Sequence, residues 1–368
     1  MRKGSQIAQI AVFLLVLFAV PVLYLILPDR DVSETENRTL AQKPAFSWQA
    51  LLSGSYTADV DRWLTDQMPG RDEWIALYGY AEALLGKTEN NGVYIGEKGT
   101  LIARFEAPDA DRVKKNRAAL EALVQKAGVP VYLALIPGAV EVWSDRLPAG
   151  APNASQAELI ADICAGTAAR TVDVLGALTA HQDEDIYYRT DHHWTTLGAY
   201  YGYAALIRAL GGEPAPAESF DRQIVSNAFY GTNYAKAGAR WIRPDAIERW
   251  VAGDGATVLL DGTAPAALYA PDKLETRDKY AYFLGGNRGL SVVRTGHEGG
   301  KLLLLRDSYS DSEAPFLLTH YGEIHLIDPR YYNGSILEYI GRQGIDAVVV
   351  NMSVDTFTGE RSTALIGY

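Results

Sequence analysis

The sequence predicts an α/β fold in which a parallel sheet carries helices on both faces. Three observations support that expectation. From residue 110 onward, short apolar runs of strand length alternate with segments whose apolar residues recur at helical spacing. Each run is followed at once by polar residues or by Pro-Gly, as buried strands ending at the carboxyl edge of a sheet are. A composition of 48% apolar and 21% charged residues, in a chain of 368, fills both sheet faces and excludes wholesale disorder.

The elements follow in order. Residues 7–27 are apolar apart from Gln9 and span about 31 Å as a helix, the thickness of a bilayer core. Arg2 and Lys3 precede the run, which places the N-terminus in the cytoplasm and the rest of the chain outside. A cleaved signal peptide is the competing reading; its apolar run is shorter, and Pro28-Asp29-Arg30 is no small-residue cleavage site. The expected organisation is therefore a transmembrane anchor at 1–28, a polar stalk at 29–50 and an ectodomain at 51–368. Two helices over 56–65 and 72–85 are separated by Pro69-Gly70, and a hairpin over 92–103 turns at Glu97-Lys98-Gly99. Helices are expected over 110–127, 155–168, 196–210, 312–320 and 335–342. Strands are expected over 129–136, 171–174, 301–305, 323–327 and 347–351. The Gly- and Tyr-rich block at about 215–300 reads as an irregular or β insertion.

Composition also limits function. Thirty-four Lys and Arg against 45 Asp and Glu leave a net charge of −11 with no basic stripe, which argues against nucleic acid as a partner. One cysteine, Cys164, forms no intrachain bridge. The chain has no G-x-S-x-G elbow, and Gly86-Lys87-Thr88 lacks the Walker glycine, because Ala81 stands there.

Ligands of an open parallel sheet bind beyond the carboxyl ends of its strands, so the residues there are the candidates. Ser308 falls between a strand and a helix start, where first-turn N–H groups stabilise a developing oxyanion, and is the candidate nucleophile. Asp191 and His193, two apart in Thr190-Asp191-His192-His193-Trp194, supply a base and a group to orient it, since alternate side chains of an extended segment share a face. The Ser308 and Tyr309 amides are the candidate oxyanion donors. Arg330, Tyr331, Asn351 and Tyr309 are candidate substrate contacts, the first three by strand-end position alone. Alternatives stay open: Ser308 as a helix cap, Asp191 or Thr195 as the cap of 196–210, and Asp191, His192 and His193 as a metal set. Against the metal set, adjacent residues of an extended segment point to opposite faces, and the serine route needs no metal or organic cofactor.

Thr190-Asp191-His192-His193-Trp194-Thr195 resembles the signature of the DHHW family, which is similar to the SGNH-hydrolase-like AlgJ and AlgX type of polysaccharide O-acetylation proteins. Glu36-Asn37-Arg38-Thr39-Leu40, Asp66-Gln67-Met68-Pro69-Gly70-Arg71, the 92–102 hairpin, Ile136-Pro137 before Leu147-Pro148, and Asp307-Ser308-Tyr309-Ser310 agree with it over roughly 34–355. The resemblance implies an SGNH-hydrolase-like, flavodoxin-like sheet with a permuted order, the Asp-x-His element preceding the serine. It also implies an Asp191, His193 and Ser308 triad, acetyl transfer to a polysaccharide outside the membrane, and a membrane-bound O-acyltransferase as donor. The leading expectation is a membrane-anchored O-acetyltransferase or acetylesterase working through acetyl-Ser308. The alternatives are a catalytically inactive scaffold or glycan-binding subunit of a cell-envelope polymer assembly, and a metal-dependent hydrolase.

Overall fold

In the computed structural model, residues 2–33, 38–251, 256–260 and 262–368 are described. They fall into two compact units, Met1–Lys87 with Gly238–Arg240, and Thr88–Ala237 with Trp241–Tyr368.

The first unit is helical. Its apolar run forms α1 (Arg2–Ile26), along which Phe13, Leu15 and Phe18 are exposed. Among the described residues no helix is long and apolar enough to cross a membrane, so the expected transmembrane helix is not supported. The short α2 (Trp48–Ser53) is followed by α3 (Ser55–Asp66) and α4 (Arg71–Leu84). The Pro-Gly break falls between α3 and α4, with Gly70 at φ 69°, a left-handed conformation that a β-carbon disfavours. The segment read as a stalk is pinned along α3. Gln67 Nε2 donates to the Arg30 and Ala41 carbonyls at 2.9 and 3.0 Å, and Asp66 Oδ2 accepts from the Ala41 N–H at 2.8 Å. Trp63 Nε1 donates to Asp29 Oδ2 at 2.9 Å. A polar segment without a period of its own is thus ordered by the Asp66-Gln67 pair, while Glu36 and Asn37 lie outside the described residues.

The second unit is built on one mixed sheet. Its strands in chain order are β1 (Val131–Ile136), β2 (Arg170–Thr171), β3 (Thr257–Leu260), β4 (Ala264–Ala266), β5 (Leu290–Arg294), β6 (Lys301–Arg306), β7 (Glu323–Ile327) and β8 (Ala347–Ser353). In space they run β4-β3-β5-β7-β6-β8-β1-β2. From β7 to β2 all pairings are parallel, with Leu305 opposite Ile327, Arg306 opposite Asn351 and Ser353 opposite Ile136. β3, β4 and β5 add an antiparallel extension. The expected parallel sheet is therefore the central part of a larger mixed one. The block 215–300 is less irregular than its sequence suggests, because three of its short runs join the sheet and a further pair, Asp221–Phe229 and Asp245–Val251, forms a separate two-stranded ladder.

Helices cover both faces, as the right-handed crossover rule demands. The chain leaves β6 towards β7 through α9 (Ser310–Leu317) and leaves β1 towards β2, the opposite direction, through α6 (Gln156–Ala165), so the two helices lie on opposite faces. On the face of α9 lies α8 (Thr196–Ala209), with the Tyr203 ring stacked on Phe316 at 5.3 Å. On the other lies α5 (Ala110–Lys126), tied to α6 by Arg117 and Asp162 at 2.6 Å. Leu302, Leu303, Leu304 and Leu305 are all fully buried, so β6 is apolar on both sides. Each such leucine stabilises the fold by about 1.5–3 kcal/mol through the area it removes from water.

Caps fix the helix starts. Asp109, Ser155 and Thr195 accept from the Arg112, Glu158 and Gly198 N–H groups ahead of α5, α6 and α8. Asp173 does the same for α7 (Val174–Thr179), which is why the strand expected over 171–174 stops at Thr171. The chain closes through α10 (Ile336–Gln343), β8 and α11 (Val354–Gly359).

Candidate active site

At the carboxyl end of β6 the chain makes a tight turn, Asp307-Ser308-Tyr309, into α9. Asp307 holds that turn: its Oδ1 accepts from the Tyr309 N–H at 3.1 Å, and its Oδ2 accepts from the Ser353 N–H and hydroxyl at 2.8 and 2.7 Å. The nucleophile turn is thereby fastened to the end of β8. No side chain caps α9, so the helix-cap reading of Ser308 does not hold; its hydroxyl is directed elsewhere.

The partner of Ser308 arrives from the loop 188–193. Tyr187 and Trp194 bridge its ends, and the Tyr188 N–H donates to the His193 carbonyl at 3.2 Å. Asp245 anchors the entry, accepting from the Arg189 and Thr190 N–H groups at 3.0 and 2.9 Å. Trp194 anchors the exit. Its indole N–H donates to the Tyr309 carbonyl at 3.0 Å and lies 3.1 Å from Ser312 Oγ, so the loop is tied to the nucleophile turn itself. The indole packs on α8 at Gly202, where a β-carbon would come within 2.6 Å of the ring, while Gly198 faces the Ile186 carbonyl and the Trp194 β-carbon.

Within this frame Asp191 Oδ1 lies 2.6 Å from His193 Nδ1, and His193 Nε2 lies 2.7 Å from Ser308 Oγ. The second Asp191 oxygen accepts from the Thr232 N–H at 2.7 Å and the Thr232 hydroxyl at 3.1 Å. Gly231 makes that approach possible, since a β-carbon there would meet the Asp191 carboxylate at 2.2 Å. Burial acts to raise the Asp191 carboxyl, but the His192 and His193 imidazoles and their hydrogen bonds outweigh it and hold it well below the usual carboxylate range. An ionised carboxylate only accepts, so Nδ1 carries the imidazole proton and Nε2 accepts from the Ser308 hydroxyl. Burial first, and the neighbouring His192 second, lower His193 to about 4, which leaves it a neutral base at physiological pH.

His192 is directed differently. Its side chain is 40% exposed, and its Nδ1 lies 2.8 Å from the Thr232 hydroxyl and 3.4 Å from Asp191 Oδ1. Donor atoms of Asp191, His192 and His193 fall within 4.8 Å of one another. Both His193 nitrogens are committed, one to Asp191 and one to Ser308, so these residues do not fit a metal as they stand. Beside His192 and Tyr309 opens a cavity of about 280 Å³, lined also by Gly138, Gln156, Lys236 and Asp355.

The other sequence candidates separate. Tyr309 lines this cavity, buried, with its hydroxyl donating to the His192 carbonyl. Its amide is spent on Asp307, which removes it as an oxyanion donor. Asn351 is 1% exposed and gives its amide to Ser310 Oγ and Glu313, so it braces α9 instead of meeting a ligand. Arg330 is held by Asp328 through two bonds at 2.9 and 2.7 Å, and Tyr331 is half exposed; neither belongs to the lining of the cavity. Sequence reasoning missed Thr232, Gly231 and Tyr280, all from the 215–300 block. Tyr280 lays its ring on His193, centroids 3.8 Å apart and planes 9° from parallel.

Two curated relatives share part of this chain. A protein named "Probable alginate O-acetylase AlgJ" from Pseudomonas syringae pv. tomato is 27% identical over 198 residues, 50% of each chain. Its namesake from Pseudomonas aeruginosa is 29% identical over 210 residues, 50% of this chain and 52% of that one. The chain thus spans about half the length of the curated relatives it matches. Among solved structures, a DHHW family protein from Eubacterium siraeum superposes with a TM-score of 0.66 at 24% identity, covering 75% of this chain and 95% of its own, a likeness of fold. The profile of the DHHW protein family matches residues 36–127 and 117–327, most of both units and the Asp191–Ser308 site with them, and on that match the chain belongs to the DHHW family.

Proposed function

We propose that this chain is an extracytoplasmic polysaccharide O-acetyltransferase or acetylesterase that works through Ser308, His193 and Asp191. The observation that carries the reading is the unbroken relay from Asp191 Oδ1 to Nδ1 at 2.6 Å and from Nε2 to Ser308 Oγ at 2.7 Å. Ser308 Oγ attacks the acetyl carbonyl as its proton passes to His193 Nε2, and the tetrahedral adduct collapses as that proton goes to the leaving oxygen. Acetyl-Ser308 is then attacked by a hydroxyl of sugar or water, which gives its proton to Nε2 and releases the free serine. Asp191 fixes the tautomer and stabilises the imidazolium formed in each half.

A polysaccharide as acceptor is supported by the names of the two relatives matched over about half their length and by a cavity of about 280 Å³ with Gln156, Lys236 and Asp355 on its walls. A membrane-bound O-acyltransferase as acetyl donor follows the family resemblance. An N-terminal membrane anchor, with the catalytic unit outside the cell, is supported by the apolar sequence and exposed side chains of α1. The test uses the full chain, expressed natively and extracted from whichever cell fraction holds it. Recovery from the membrane fraction bears on the anchor. Hydrolysis of a chromogenic acetyl ester is expected to rise as pH passes about 4, to fall at least about a thousandfold in Ser308→Ala and to be indifferent to chelator. Activity surviving Ser308→Ala, or lost to chelator, overturns the serine route.

A further inference from the structure

We infer that Tyr280 is a positioning residue that holds base and nucleophile in register through a single side chain. The inference rests on the serine reading above and extends it to a residue outside both motifs. Tyr280 lies in the short turn Lys279–Tyr282, 4% exposed. Its ring covers the His193 imidazole face to face at 3.8 Å. Its hydroxyl donates to the Ser308 carbonyl at 3.1 Å and lies 3.0 Å from Ser312 Oγ. One phenol thus touches the base by its face and the backbone of the nucleophile by its tip. Phe283 and Tyr188, at 5.5 and 6.3 Å, wall it in from behind.

The chemistry makes this contact selective for the charged stage of the reaction. When Ser308 gives up its proton, His193 becomes a cation, and the electron-rich face of a phenol attracts a cation more than a neutral ring. That attraction grows as the tetrahedral adduct forms, so it raises kcat and leaves KM nearly unchanged. The other titratable groups around the imidazole are Asp191 and His192 on its own loop and Asp307 and Tyr309 on the nucleophile turn. Burial keeps the Tyr280 hydroxyl protonated, so it adds no charge of its own.

The test compares Tyr280→Leu, which removes ring and hydroxyl while staying apolar, with Tyr280→Phe, which keeps the ring. Both are made in the full chain, with thermal unfolding as a check on folding. Two readouts are taken: kcat and KM on the chromogenic ester, and the titration of His193 followed by NMR. Tyr280→Leu is expected to lower kcat roughly tenfold with KM within about twofold, and to shift the His193 titration down by about half a unit. Tyr280→Phe is expected to leave the titration in place and to lose about threefold in kcat through the hydroxyl link. An unmoved titration in Tyr280→Leu, or equal losses in the two variants, overturns the inference. If Tyr280→Leu does not fold, an unchanged kcat in Tyr280→Phe overturns the hydroxyl link and a threefold loss supports it. A parent chain without esterase activity sinks the serine reading, and the titration then still decides whether the ring acts on the imidazole.

Discussion

The loop 188–193 and the turn Lys279–Tyr282 both reach the His193 ring, the first through a carboxylate 2.6 Å from Nδ1, the second through a parallel phenol at 3.8 Å. They differ in what the sequence reveals of them. Orienting an imidazole by hydrogen bond demands a carboxylate oxygen at one ring nitrogen, met here from two residues away where the bent segment 189–193 also turns the His193 N–H onto Asp191, and few residue types meet that demand. Covering the same ring demands only an aromatic face, which any of 22 tyrosines offers from any place in the chain. Directional chemistry therefore leaves a readable signature, and face-to-face packing leaves none.

The contrast can be broken or sharpened by substitution. The largest effect is expected from Asp191→Asn, which takes away the carboxylate that fixes the tautomer. A loss of about four orders of magnitude in initial rate on the acetyl ester is anticipated, and a loss under about tenfold would assign the orienting role elsewhere. Trp194→Phe keeps most of the apolar contact and deletes the indole N–H that reaches Tyr309 and Ser312. Urea unfolding should register a destabilisation of about 1–3 kcal/mol; an unchanged midpoint would mean that packing alone holds the loop.

A third effect concerns pH. Burial raises the Glu313 carboxyl from 4.5 to about 8, and Asp311, also buried, is raised to about 7. Between those limits the folded chain keeps protons that the unfolded chain releases. Stability therefore declines as pH rises from about 4.5 towards 8. Glu313→Gln should flatten that decline in unfolding measured at several pH values across this window, and an undiminished slope would place the dependence on Asp311.

Much of the fold was readable because β1, β6, β7 and β8 are continuous apolar runs with helices between them, and their bounds shift by a residue or two at most. The antiparallel extension β3, β4 and β5 was not, for each strand has three to five residues, too few to write a period into the chain, and β5 finds its partners β3 and β7 far away in sequence on either side. At the site, the residue types and the two-residue spacing singled out Asp191 and His193, but their meeting with Ser308, 115 residues on, is a matter of the fold alone. Asn351 and Arg330 do not join them. Position at a strand end says where a side chain begins but not which way it points, and Asn351 turns inward to Glu313 while Arg330 turns back to Asp328. Asp307 was legible as a polar residue beside Ser308, yet only the folded turn reveals that it consumes the Tyr309 amide.

Gly198 and Gly202, one helical turn apart on α8, contribute to the site by what they lack. Gly202 is the mould into which the Trp194 indole is cast, Gly198 makes room for its β-carbon and for the Ile186 carbonyl, and through the indole N–H that mould is joined to the Tyr309 carbonyl. Enlarging Gly202 and trimming the tryptophan are thus one operation performed from opposite sides. In heritable terms, two positions that look independent along the chain form a single character, and a change tolerated at one is conditional on the shape of the other.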